Sequence, residues 1–194
     1  MRALTGSFLL LYALTSGTDP PPARASTALE ATYEGLLGNS SIVALVTPME
    51  QRSLWENGRI YTYSRTYTDR TIAGVHAEER WVRTLGGIVG DLGQIVEGEA
   101  VLTVGHPAFV FLRPGPLGAF EVCARAQGQF PLALDDTKRL RLVRSHLSHT
   151  VPRVQQASRQ ARPAARPAPE VLHGRLLDEV SREVAADWSA IHAK

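Results

Sequence analysis

The chain has 194 residues, 21 lysines and arginines against 19 aspartates and glutamates, a formal charge of +2 and one cysteine. A single cysteine excludes an internal disulfide, so stability has to come from an apolar core, and the length suits one domain rather than two. The near-zero total hides a segregation: 26–136 has 8 arginines and 13 acids (net −5), 137–169 has 8 basic residues and no acid (net +8), and 170–194 has 3 basic and 5 acidic residues (net −2).

The first residues set the compartment. Met1-Arg2 gives a positive start, Ala3 to Thr15 is mostly apolar, and Pro20-Pro21-Pro22 breaks the chain before Ala23-Arg24-Ala25. This layout predicts a secretory signal over 1–25 and a mature chain that begins at Ser26, exported to the periplasm or beyond. The apolar run is shorter than the about 20 residues that cross a bilayer, so no transmembrane segment is expected in the mature chain.

Residues 26–150 read as one β domain. Ser26 or Thr27 caps a short helix through Leu29, Tyr33, Leu36 and Leu37, ended by Gly38-Asn39. Ser41 to Thr47 is an apolar strand stopped by Pro48. Asn57-Gly58 supplies the left-handed pair of a tight hairpin turn, and the aromatic and β-branched run after it is a long strand. On that strand Tyr61, Tyr63 and Tyr67 share one face, and Thr62, Ser64, Thr66 and Thr68 share the other. With Arg65 between them the tyrosines are a candidate stacking platform; the plainer reading is a cross-strand aromatic ladder. Further strands are predicted over Glu79–Leu85, Ala100–Val104, Ala108–Arg113, Ala119–Arg125 and Gln129–Leu134, with Lys138–Arg144 as an edge strand. This cadence predicts a mainly β fold, a small antiparallel β-barrel or sandwich, with a short N-terminal helix and a C-terminal amphipathic helix.

Thr84 to Gly93 is rich in glycine, and Gly86, Gly87 and Gly90 are candidate binding positions. A phosphate-binding loop would deliver the chain into a helix, yet Gln94-Ile95-Val96-Glu97-Gly98-Glu99 reads as no helix and brings two carboxylates. The glycines are therefore read as bends with positive φ in a wide loop between strands. Cys123 reads as a small buried or half-buried residue of a strand. His146-x-x-His149 is too sparse a ligand set for zinc, and the reading includes no metal and no cofactor.

Residues 151–169 form a basic Pro/Ala/Arg-rich linker, and 138–166 is a candidate contact for an anionic surface. Nucleic acid is not expected as a partner, because export removes the chain from it. Glu170 to His192, within a terminal segment 170–194, carries Leu177, Val180, Val184, Trp188 and Ile191 at helical spacing. Arg175–Glu179 and Asp178–Arg182 are its i,i+4 pairs, and its apolar face needs a partner: the body of the domain by default, with another chain or a membrane surface as the alternatives.

Several stretches together resemble a type of exported bacterial protein: Ser41–Val46 after a short helix, Trp-x-x-Gly-Arg-Ile-Tyr-Thr at 55–62, Gly-Gly-x-x-Gly at 86–90, Phe-Val-Phe-Leu-Arg at 109–113 and Ala-Gln-Gly-Gln-Phe at 126–130. The resemblance covers 32–134 and departs around Arg70–Gly74 and His76, where a polar, lysine-containing turn is expected. It implies a small β-barrel with a helical appendage and export, and carries no activity. The function read from the sequence is an exported, non-enzymatic binding or interaction module of the cell envelope, whose loops Gly86–Gly98 and Arg113–Gly118 meet a protein or glycan. The alternative is a small extracytoplasmic hydrolase, with His106 converging on Glu97 or Glu99, or an accessory partner of a secreted protease.

Overall fold

The computed structural model describes residues 30–146 and 166–193. The expected signal, the Ser26 or Thr27 cap, His149 and most of the linker lie outside these residues.

The chain is mainly β. Helix α1 (Tyr33–Asn39) starts at Thr32, whose hydroxyl accepts from the Gly35 amide at 3.0 Å and so satisfies an amide that the helix leaves open. Strands β1 (Ile42–Glu56) and β2 (Arg59–Ala73) form a long hairpin, joined by Asn57 and Gly58 at φ 50° and 77°. Then come β3 (Glu79–Leu85), β4 (Gly87–Val89), β5 (Leu92–Gln94), β6 (Ala108–Pro114), β7 (Phe120–Val122), β8 (Gln129–Leu134) and β9 (Leu140–Leu142). Helices α2 (Ala168–Leu172) and α3 (Leu177–His192) follow.

One sheet has the order β1-β2-β3-β7-β6-β8-β9, and β1 also pairs with β6. The pairings β1–β2, β2–β3, β3–β7, β7–β6 and β6–β1 thus run in one circuit. The sheet is mixed, not antiparallel throughout as the turn-rich sequence suggests: β3 and β7 run parallel, matched at Val82↔Phe120 and Arg83↔Glu121. The reason is the long excursion through β4, β5 and 95–107, which returns the chain to the opposite side of the circuit.

Pro48 does not end β1. The pairing of β1 with β6 stops at Val46↔Ala108, so Pro48 lies where its missing N–H is owed to no neighbour on that side. The register with β2 also slips there, from Pro48↔Thr66 to Glu50↔Arg65, a bulge that accommodates proline. Ala100–Val104 is not a strand, and the one predicted over Ala119–Arg125 is only Phe120–Val122, because Ala124 and Arg125 take positive φ and the chain turns into a 3-10 segment. β2 continues through the departure region to Ala73, after which Gly74 (φ 86°) sits where a Cβ would collide with the Ser41 carbonyl.

Two apolar cores flank β1 and β6. Ile42, Ala44, Val46, Val110 and Leu112 face inward with Val82, Leu102 and Val122; Val43, Leu45, Phe109 and Phe111 face outward under the helices. This two-sided burial is why 42–46 and 108–112 are unbroken apolar runs. In the outer core Phe111 stands edge-on to Phe109 and Phe130, with ring centroids 5.6 and 6.4 Å away. α3 closes this core with Leu177, Val180 and Val184, all buried, while Trp188 is half-buried and Ile191 exposed. Trp188 Nε1 donates to the Ser40 carbonyl at 3.0 Å, and Tyr33 Oη donates to Asp187 at 2.9 Å. The terminal helix is broken at His173-Gly174, and its ion pairs differ from the expected ones: Arg175 reaches Glu183 and Arg70 reaches Asp178, each at 2.7 Å. Ala168 and Pro169, placed in the linker by composition, are buried in α2.

Phe111 fills the centre of the outer core, so Phe111→Ala should lower the unfolding free energy by about 3–5 kcal/mol. Urea unfolding followed by circular dichroism measures this; a loss below about 1 kcal/mol would contradict the packing described.

Candidate functional site

β3 delivers the chain at Leu85 to two glycines that no other residue could replace. Gly86 and Gly87 take φ 107° and 134°, and a Cβ on Gly87 would collide with the hydroxyls of Ser53 and Thr62. Their freedom folds β4 and β5 back over the β1–β2 hairpin, with Gly90 and Asp91 at the tip. The Gly86 amide donates to the Ile60 carbonyl at 2.7 Å, and Gln94 Oε1 accepts from the Ile60 amide at 2.8 Å, pinning both ends of the small hairpin. Residues 95–102 then return, anchored by Ala100 and Leu102 in the inner core.

A cleft of about 750 Å³ lies between hairpin and return segment, within the size range of small-molecule sites. Its walls are largely aliphatic: Leu85, Ile88, Ile95, Val96 and Val101, with Gly86 and Gly87 at the base. Ile95 is 97 % exposed and Ile88 72 %, which leaves apolar surface in water at the cleft. Glu97, Glu99 and His146 are its titratable residues.

Glu99 is buried, at 8 % exposure. One oxygen accepts from the Ala100 amide at 3.2 Å and the other lies 3.6 Å from Arg125 Nε. Burial pushes its pKa up; the Ala100 amide and Arg125 oppose the rise, and Glu121 adds to it.

Leu85 and Glu99 also line a second pocket of about 210 Å³, polar where the first is apolar, with Arg59, Tyr61, Arg83, Arg113 and Arg125 around it. Sheet register builds it. The parallel match Arg83↔Glu121 and the antiparallel match Arg113↔Glu121 place one carboxylate between two guanidiniums, each at 3.0 Å. Arg83 also holds Glu56 at 2.7 Å and lies over the Tyr61 ring, 3.4 Å from its centroid. Burial alone would lower the Arg83 pKa, and Glu56 and Glu121 outweigh it so that the pKa is raised. Its Nε is buried without a hydrogen-bond partner, a deficit that costs about 1–3 kcal/mol in a folded chain.

The positions singled out in the sequence do not all meet here. Gly86 and Gly87 line the cleft and Gly90 turns the hairpin above it. Tyr61 belongs to the arginine pocket, stacked under Arg83. Tyr63 is buried, and its hydroxyl donates to Glu56 at 2.5 Å; burial raises its pKa first and Glu56 second. Arg65 bridges Glu50 and Glu79 across three strands, and Tyr67 is exposed farther along β2. His106 bonds its own turn at Val104 and lies outside the cleft, which His146 lines instead. Cys123 is buried, as read from the sequence, but in the turn after β7, with its thiol pushed up to about 11 by burial.

Of the basic segment, Arg139 and Arg141 are held by Asp135, Arg144 reaches Glu30 and Arg166 reaches Glu34. Among the described residues no group of three His, Cys, Asp or Glu could hold a metal ion, and no helix is long and apolar enough to cross a membrane.

Sequence reasoning missed Arg59, Arg83, Arg125 and Val101; Ile88, Ile95 and Arg113 fall within the loops it named, Gly86–Gly98 and Arg113–Gly118, without being singled out. Strand alternation separates Arg83 from its inward neighbours Val82 and Thr84, yet only the pairing partner reveals what it meets.

The folded chain holds the Glu99 proton more tightly than the unfolded chain. Its ionisation therefore costs stability as pH rises from the ordinary 4.5 through the raised value. Glu99→Gln keeps an oxygen for the Ala100 amide, so the variant should be more stable than the parent at neutral pH and lose that advantage as pH falls towards 4.5. Thermal unfolding at a series of pH values measures the difference, and a gap independent of pH would rule out the burial effect.

Comparison with protein-family models, with curated proteins and with solved structures finds no match to this chain.

Proposed function

We propose that the chain is an exported, non-enzymatic binding module of the bacterial cell envelope, a small β-barrel that takes an apolar group in the cleft under the β4–β5 hairpin. The observation that carries this reading is the exposure of Ile88 and Ile95 at the mouth of a cavity of about 750 Å³ with aliphatic walls. Apolar surface kept in water around a concavity is the signature of an interaction site, since folding alone would have covered it. The circuit of strand pairings supports the barrel, and the 1–25 signal supports export. Between the two envelope partners expected from the sequence, aliphatic walls favour an apolar group of a protein or lipid over a glycan. Sugar stacking needs open aromatic faces, and the one tyrosine nearby is covered by Arg83.

A second reading has one observation in its favour. Glu97, Glu99 and His146 line the same cleft, so the hydrolase alternative keeps a carboxylate with raised pKa and an imidazole on the walls of one cavity. Hydrolysis of a panel of ester and peptide substrates, lost in both Glu99→Gln and His146→Ala, would establish it.

The binding reading is tested with a neutral fluorescent probe, N-phenyl-1-naphthylamine. The chain from Ser26 should bind it with a blue-shifted emission and a stoichiometry of about one. Ile95→Asp, which puts a charge at the mouth, should weaken binding about tenfold or more. Gly87→Val, which forces the hairpin off Ser53 and Thr62, should abolish it. Probe binding unchanged by both variants would place the apolar site elsewhere.

A further inference from the structure

The apolar cleft and the arginine pocket adjoin, since Leu85 and Glu99 are walls of both. The geometry points to a ligand that occupies the two together: a long-chain monocarboxylate, with its alkyl tail in the cleft and its carboxylate among Arg59, Arg83, Arg113 and Arg125. This inference rests on the binding function proposed above and names its ligand class.

The charge pattern argues for an anionic head. Four guanidiniums meet three carboxylates, Glu56 and Glu121 on Arg83, Glu121 again on Arg113, and Glu99 on Arg125, which leaves one positive charge unmatched. Arg59 pairs with no carboxylate among the described residues, and Arg125 holds Glu99 only at 3.6 Å. A monocarboxylate brings the single negative charge that the cluster lacks.

Arg83 forms the inner wall of the head site. Its side chain is nine-tenths buried and lines the pocket, and its terminal nitrogens are already held by Glu56 and Glu121. Its unpaired Nε is sealed from the pocket, so Arg83 contributes positive field there and the open donors are those of Arg59 and Arg125. Arg59 and Arg125 meet the head from the exposed side, and Tyr61 backs Arg83 from beneath.

The volumes fit one occupant. About 210 Å³ holds a carboxylate with bridging water, and about 750 Å³ is a site for one small molecule. The head pocket is sized for a carboxylate and is one negative charge short, so the inference commits to the free single-chain acid.

The test compares dodecanoate with dodecanol by isothermal titration into the chain from Ser26, and then into Arg59→Gln, Arg125→Gln and Ile95→Asp. Arg83 is left intact because it also ties β2, β3 and β7 together. Dodecanoate should bind about tenfold or more tightly than dodecanol, and each arginine variant should remove most of that difference while leaving dodecanol unchanged. Ile95→Asp should weaken both ligands. If dodecanol binds as well as dodecanoate, the head-group assignment fails and the apolar site stands. If neither binds, both readings fall. A monocarboxylate preference that survives Arg59→Gln and Arg125→Gln together overturns the placement of the head. Capture by vesicles of anionic phospholipid, with no binding of free dodecanoate, overturns the choice of a single-chain acid.

Discussion

Strands β1 and β6 lie side by side, and each sends apolar side chains to both of its faces. Every other part of the fold answers to that pair. The inward side chains Ala44, Val46, Val110 and Leu112 need a cover, which β2, β3 and β7 give by curling round to complete the circuit. The outward side chains Val43, Leu45, Phe109 and Phe111 need another, which α1, α2 and α3 give. With about 1.5–3 kcal/mol for each large apolar side chain removed from water, neither layer can be dropped without exposing a hydrophobic row. The C-terminal helix is therefore part of the body, fastened by Trp188 to Ser40 and by Asp187 to Tyr33.

Wrapping the circuit fixes which face of β2 looks inward, and the outcome inverts what aromatic residues suggest. Ser64, Thr66 and Thr68 are the inward face, and the tyrosines lie on the opposite one, where Tyr61 is half-buried, Tyr67 exposed and Tyr63 buried by its neighbours. Small hydroxyl side chains suit the interior because they fill little volume and find partners: Thr66 Oγ1 donates to the Arg80 carbonyl at 3.0 Å, and Thr68 Oγ1 accepts from the Arg80 guanidinium at 2.7 Å. Arg80 is itself buried, bonded to the Ala77 and Val75 carbonyls, and burial lowers its pKa. The outer face is then free to carry charge. Tyr61, Tyr63, Glu56 and Arg83 knit β1, β2 and β3 together there, and the same network prepares the wall of the arginine pocket.

The sequence made the local structure legible and left its long-range pairing closed. Asn57-Gly58 announced the hairpin because only left-handed residues close a two-residue turn, and 42–46 read as a central strand because an unbroken apolar run needs cover on both sides. The glycines of 86–93 were legible as bends, since no amphipathic helix follows them; that they bend into a hairpin of their own depends on Ser53 and Thr62, which sequence order does not bring near. Pro48 was misleading because its effect depends on whether a neighbour wants its amide, a property of pairing. The parallel β3–β7 contact could not be read at all, because it joins residues nearly 40 positions apart through only two matched pairs, Val82↔Phe120 and Arg83↔Glu121. For the same reason the arginine pocket was invisible: its members come from β2, β3, β6, β7, the turn after β7 and Glu99 of the return segment.

The arginine pocket lies at that short parallel seam and the apolar cleft adjoins it through Leu85 and Glu99, and the coincidence has a physical cause. β7 is three residues long, so β3 beyond Arg83 has no strand beside it on that edge. An unpaired edge in a small sheet must be covered or charged. Here Leu85, half-buried, faces the excursion through β4 and β5 across the cleft, while Arg83 is charged and tied to Glu121. Cover made of a two-stranded hairpin and a loop fits less closely than a full strand would, and the gap it leaves is the cleft. The feature that makes the circuit weakest as a sheet thus supplies an apolar cavity and an electropositive pocket side by side, with Glu99 buried at their boundary. A site there leaves the double-sided packing of β1 and β6 in place.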